Sequence, residues 1–160
     1  MRFKLGEEGV MPKFDVTDKV VIDAPPMAVY KTLLDEFAGL TYLFMPYYEF
    51  KLTGDKPTNL EGATFDITVH NKGMTSRLPA KISKISEAKL IEVEYTGDLI
   101  AKEEYRFEPT DGKTNLQLRF SGRTNKLLFS LLSPFVDFGK GHSEMVEKSF
   151  AALNNYLNKK

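Results

Sequence analysis

Hydrophobic positions change their spacing three times along this chain. Phe14 to Ile22 is β-rich and stops at Asp23-Ala24-Pro25-Pro26, where Asp23 is placed to cap a helix and proline suits the first helical turn. Met27 to Asp35 reads as a short helix burying Val29, Leu33 and Leu34, and a second short helix or turn is expected over Phe37 to Phe44, before Pro46. After Pro46 the period becomes two. Tyr48, Phe50 and Leu52 alternate with Tyr47, Glu49 and Lys51; Phe65, Ile67 and Val69 alternate with Thr64, Asp66, Thr68 and His70. Leu78, Ala80 and Ile82 continue the pattern, as do Ile91, Val93 and Tyr95, then Ala101, Glu103, Tyr105 and Phe107, then Leu116, Leu118 and Phe120.

Gly54-Asp55-Lys56-Pro57, Asn71-Lys72-Gly73, Gly97-Asp98 and Asp111-Gly112 separate these runs and are good turn formers. Short links between alternating strands predict antiparallel pairing, with one dry face and one wet face. The last third supplies a cover for the dry face. At about 100° per residue, Phe135, Phe138, His142, Val146, Ser149, Phe150, Leu153, Tyr156 and Leu157 share one helical sector. Asp137, Lys140, Glu144, Glu147, Lys148, Asn155 and Asn158 lie opposite. The predicted class is α+β: about seven antiparallel strands and a long C-terminal helix, with two short helices after the first strand. Residues 1–12 read as a loose leader and residues 13–160 as a single domain.

Composition narrows the function. Lys plus Arg equals Asp plus Glu at 22 each, so no overall field draws in nucleic acid. The absence of cysteine removes disulfides, thiolate nucleophiles and Cys-based metal sites. With His70 and His142 as the only histidines, no metal site or cofactor is expected. No run approaches a membrane span and the first residues lack a signal-peptide core, so the expected setting is cytoplasmic.

Two side chains break the dry pattern. His142 stands where a leucine would be expected: it is either a cavity group able to shuttle a proton, or a histidine bonded to a backbone carbonyl or a nearby acid. Glu103 shares the parity of Ala101, Tyr105 and Phe107, so strict alternation turns its carboxylate inward, where it must be paired or raised in pKa. A slip toward the equally apolar Ile100 would instead place Glu103 outside. These two are the candidate catalytic residues. Tyr48, Tyr95 and Tyr105 combine apolar bodies with hydroxyls that need partners, as suits a pocket holding a mostly apolar ligand. Phe50, Phe65, Ile67, Met74, Phe120, Phe138, Met145 and Ser149 complete the candidate ligand-binding set. His70 reads as a solvated strand end, and Leu127–Leu132 as packing, a gate or a partner-binding patch.

The element order, together with the stretch Val20-Val21-Ile22-Asp23-Ala24-Pro25-Pro26-Met27-Ala28-Val29-Tyr30, resembles the START-like or SRPBCC superfamily. Its polyketide cyclase/dehydrase and lipid-transport group is the nearest likeness, over roughly residues 14–157. The resemblance implies a Bet v 1-like helix-grip fold, a curved sheet wrapped around the C-terminal helix with a hydrophobic cavity between them. It implies a hydrophobic or amphipathic small-molecule ligand (a lipid, a polyketide-like or an aromatic compound) and a monomer or homodimer. Two alternatives stay open: a cyclase or dehydratase using His142 and Glu103 as acid and base, and a co-chaperone-like partner-binding module.

Overall fold

The computed structural model describes residues 13–55, 59–71, 73–124 and 138–159, the side chains of 71, 74 and 138–143 excepted. Strand β1 (Lys13–Ile22) leads into helix α1 (Pro26–Phe37). Six strands follow: β2 (Tyr48–Thr53), β3 (Thr64–Asn71), β4 (Met74–Ser86), β5 (Leu90–Tyr95), β6 (Leu99–Thr110) and β7 (Lys113–Thr124). Helix α2 (Phe138–Asn158) comes last. No helix among the described residues is long and apolar enough to cross a membrane.

The strands form one antiparallel sheet in the order β1-β7-β6-β5-β4-β3-β2. Each alternating run in the sequence lies within one strand. Asp111 and Gly112, both at positive φ, form the two-residue β6–β7 turn that pairs Thr110 with Lys113. At Gly122, opposite Ala101, β7 approaches β6 so closely that an added Cβ would lie 2.2 Å from the Ile100 carbonyl oxygen.

Helix α1 differs from the reading at both ends. Its N-cap is Pro25, without a side-chain cap, and Asp23 is engaged elsewhere: its N–H donates to Asn154 Oδ1 and its carboxylate pairs with Lys113 at 2.8 Å. The C-terminus is closed by Gly39 at φ +75, with Leu40 N–H donating to the Asp35 carbonyl and Gly39 N–H to that of Glu36. Of the two helical stretches expected here, the first is α1 and the second is a run of turns over 43–47.

Helix α2 buries Val146, Ser149, Phe150 and Leu153 and exposes Glu144, Glu147 and Lys148, as its stripe predicts, and it also buries Met145 beside that stripe. It packs along β1 at one sheet edge. At the other edge Lys148 Nζ lies 5.4 Å from the centre of the Tyr47 ring, just before β2. The curved sheet thus closes on α2 from both sides, and the core lies between them.

Candidate functional site

Strict alternation along β6 decides the orientation of Glu103. Leu99, Ala101, Glu103, Tyr105 and Phe107 are buried while Ile100 is exposed, so the register does not slip and the carboxylate points into the core. Glu103 is 6% exposed, and each of its oxygens accepts a hydrogen bond. The Tyr95 hydroxyl donates to Oε1, and the Tyr105 hydroxyl donates to Oε2 at 3.2 Å. Burial pushes the Glu103 carboxyl up to about 7, against the opposing pull of the two phenols. At neutral pH this group therefore exists in both protonation states, the condition under which a carboxyl can take up and release a proton. The same burial and the charge of Glu103 raise both phenols far above their ordinary range, so they remain donors.

Tyr48 opens β2 and brings a third phenol to this place. Its hydroxyl is buried and has no hydrogen-bond partner among the described residues. Burial first, then the charges of Glu103 and Asp18, push its pKa up. Asp18 lies on the inner face of β1, in step with Phe14, Val16, Val20 and Ile22, and its Oδ2 is shielded from solvent.

Around these groups Phe44, Phe50, Ile67, Leu118, Val146, Ser149 and Phe150 complete a pocket whose walls come from β2, β3, β5, β6, β7, α2 and the turn before β2. The cavity these side chains enclose is about 20 Å³, room for a single water. A larger guest enters only if wall side chains move outward. Phe44 sits on a turn that a buried carboxylate helps to hold, alongside its ring contact with Phe50 and the Tyr47 and Tyr48 N–H groups that donate to its carbonyl. Buried Glu36 at the end of α1 accepts hydrogen bonds from Thr41 Oγ1 at 2.5 Å, Leu43 N at 2.9 Å and Phe44 N at 2.9 Å.

The predicted residues divide into three groups. Tyr48, Phe50, Ile67, Tyr95, Glu103, Tyr105 and Ser149 meet at the pocket. Phe65, Phe120 and Met145 are buried outside its lining: Phe65 packs on Phe37 and Phe50, and Phe120 on Phe14 and Tyr95. Phe65 and Phe120 turn inward as alternation requires, but neighbouring rings take up their surfaces; Met145 is buried on α2. The side chains of Met74, Phe138 and His142, and the whole of Leu127–Leu132, lie outside the described residues. His70 stays at a strand end, its Nδ1 3.1 Å from Thr75 Oγ1.

Four wall residues were not singled out from sequence: Phe44, Leu118, Val146 and Phe150. The last three stood in recognised apolar patterns; nothing local marks Phe44. Asp18 had a readable signal, since it falls on the apolar parity of β1.

No family model matches the sequence, and no curated protein matches it. Solved structures do match the fold. Ara h 8.0201 superposes with a TM-score of 0.69 at 18% identity, covering 93% of this chain and 100% of that one. Norcoclaurine synthase from Thalictrum flavum gives a TM-score of 0.60 at 11% identity, covering 96% of this chain and 94% of that one. The di-domain ARO/CYC StfQ of the steffimycin biosynthetic pathway gives 0.68 at 11% identity, covering 96% of this chain and 53% of that one. Seven antiparallel strands curved around a C-terminal helix, with a helix after the first strand, make this the Bet v 1-like helix-grip fold of the SRPBCC proteins.

Proposed function

We propose that this protein binds a small hydrophobic or amphipathic molecule between the sheet and α2, with the polar end of that molecule at Tyr48 and Glu103. The observation that carries this reading is the Tyr48 hydroxyl, buried in an aromatic wall beside a buried carboxylate and without a partner among the described residues. A plain core avoids such a group, because an unsatisfied buried hydroxyl costs about 1–3 kcal/mol. In a binding pocket the same hydroxyl is an orienting contact for a guest. Lipids, polyketide-like and aromatic compounds all have a suitable apolar body. The proposed setting is the cytoplasm, with the protein acting as a monomer or homodimer.

Uptake of the neutral fluorophore N-phenyl-1-naphthylamine tests the reading. Saturable binding to the wild type, lost when Ser149→Phe fills the cavity, supports it. No uptake, or uptake indifferent to Ser149→Phe in a variant that still folds, contradicts it.

A second reading is favoured by the Glu103 carboxyl, which burial brings to about 7. Placed in a pocket, such a group can act as a general acid or base on a bound substrate, and His142 on α2 is its proposed partner. Two of the similar structures carry enzyme names, a synthase and an ARO/CYC. On this reading Glu103 moves a proton to or from an enolisable or hydroxylated substrate, as a cyclase or dehydratase requires. A turnover screen with Glu103→Gln as control tests it: activity that persists in the variant removes Glu103 from the chemistry.

A further inference from the structure

We propose that the guest of this cavity carries a protonated amine, and that Glu103 and the oxygens around it form the ammonium's binding site. The inference rests on the cavity reading above and adds the chemical class of the ligand's polar end.

The donor and acceptor inventory carries the argument. A phenol or hydroxyl has one proton to donate and lone pairs to accept with, and a carboxylate only accepts. Tyr95 and Tyr105 both commit their protons to Glu103. Ser149 commits its proton to the Met145 carbonyl at 2.9 Å. What these groups still offer a guest is acceptor capacity: lone pairs on the carboxylate, on two phenol oxygens and on Ser149. Against these acceptors, Tyr48 supplies the one uncommitted hydroxyl proton among the described lining residues.

Charge points the same way. Among the described residues, no lysine, arginine or histidine lines the pocket, whereas Glu103 does. A second carboxylate, Asp18, acts on the Tyr48 phenol from β1. A carboxylate or phosphate head would meet a like charge and a single donor. An ammonium instead supplies up to three donors, compensates the buried carboxylate, and can lie against aromatic faces such as Phe44, Phe50 and Phe150. The enclosed space of about 20 Å³ takes in an apolar body only as the wall side chains move outward.

The test uses three compounds with one apolar body: 2-phenylethylamine, 2-phenylethanol and 3-phenylpropionate, titrated calorimetrically at about pH 8, where Glu103 is largely ionised. The amine is expected to bind at least about tenfold more tightly than the carboxylate, the scale of one charge-assisted contact in a desolvated site. Glu103→Gln is expected to erase that preference. An alcohol or carboxylate that binds as tightly as the amine, or a preference that survives Glu103→Gln, overturns the inference. If the neutral compounds bind without any preference for the amine, the ammonium site fails and the cavity reading stands. If neither they nor the neutral fluorophore binds, the cavity reading fails and the ammonium site with it.

Discussion

The Tyr95 hydroxyl donates to the Glu103 carboxylate diagonally across the β5–β6 ladder, in which Tyr95 is paired with Ala101 and Glu103 with Val93. Tyr105, two residues along β6 on the same face, donates to the other oxygen. A carboxylate is thus held between two phenols in a sheet interior that is otherwise largely apolar, and most of what is distinctive about the pocket follows from that arrangement.

Stability should depend on pH through Glu103. Its carboxyl rises from 4.5 to about 7 on folding, so the folded state binds more protons than the unfolded state between those values. Stability from this group is therefore greatest below pH 4.5, falls as pH rises, and levels off above about 7. The full difference is on the order of 3 kcal/mol. Glu103→Gln should flatten this slope and leave the protein more stable than wild type at about pH 8. Urea unfolding midpoints from about pH 5 to pH 8 measure both effects; parallel slopes in the two proteins would contradict the assignment.

Tyr48 and Tyr95 should respond differently to loss of the hydroxyl. Tyr48→Phe removes a group with no partner among the described residues, so the free protein should be unchanged or up to about 1 kcal/mol more stable. Tyr95→Phe removes a donor from a buried carboxylate and should destabilise by about 1–3 kcal/mol above neutral pH. Thermal unfolding of the two variants checks the ordering, and equal losses would refute it. Tyr48→Phe should nevertheless weaken ligand binding.

Glu36 should govern the pocket wall from outside the pocket. Replacing it with alanine leaves two backbone N–H groups and the Thr41 hydroxyl without their acceptor. A loss of about 2–4 kcal/mol is expected, together with faster hydrogen exchange at Leu43 and Phe44. Unaltered exchange there would show that other contacts hold the turn.

Gly122 should tolerate no side chain. With φ at 154 and an added Cβ 2.6 Å from Ala101 Cα, Gly122→Ala must push β6 and β7 apart. Destabilisation of about 1–3 kcal/mol is expected, measured by chemical unfolding. An alanine variant as stable as wild type would contradict this close approach.

Much of the fold was legible because its signals are local and repeat. Period-two alternation marks both faces of each strand, and the stripe on α2 names the residues that face the sheet. Glu103 was readable for the same reason: Leu99, Ala101, Tyr105 and Phe107 surround it on one parity. Other features depend on contacts distant in sequence. Phe44 enters the pocket because Glu36 holds its turn, and neither residue signals the other. Ala88 takes a positive φ of 55 in the β4–β5 turn, where no glycine or asparagine announces it. Alternation also shows that Phe65 and Phe120 are inside, but not that neighbouring rings rather than the pocket receive them.

The most direct test of the central claim is to locate a bound guest. In isotope-filtered NMR of the wild-type protein with N-phenyl-1-naphthylamine, the account predicts intermolecular contacts to Tyr48, Phe50, Ile67 and Val146. Contacts confined to the exposed Leu40, Tyr42 and Met45, with those four residues unperturbed, would contradict it.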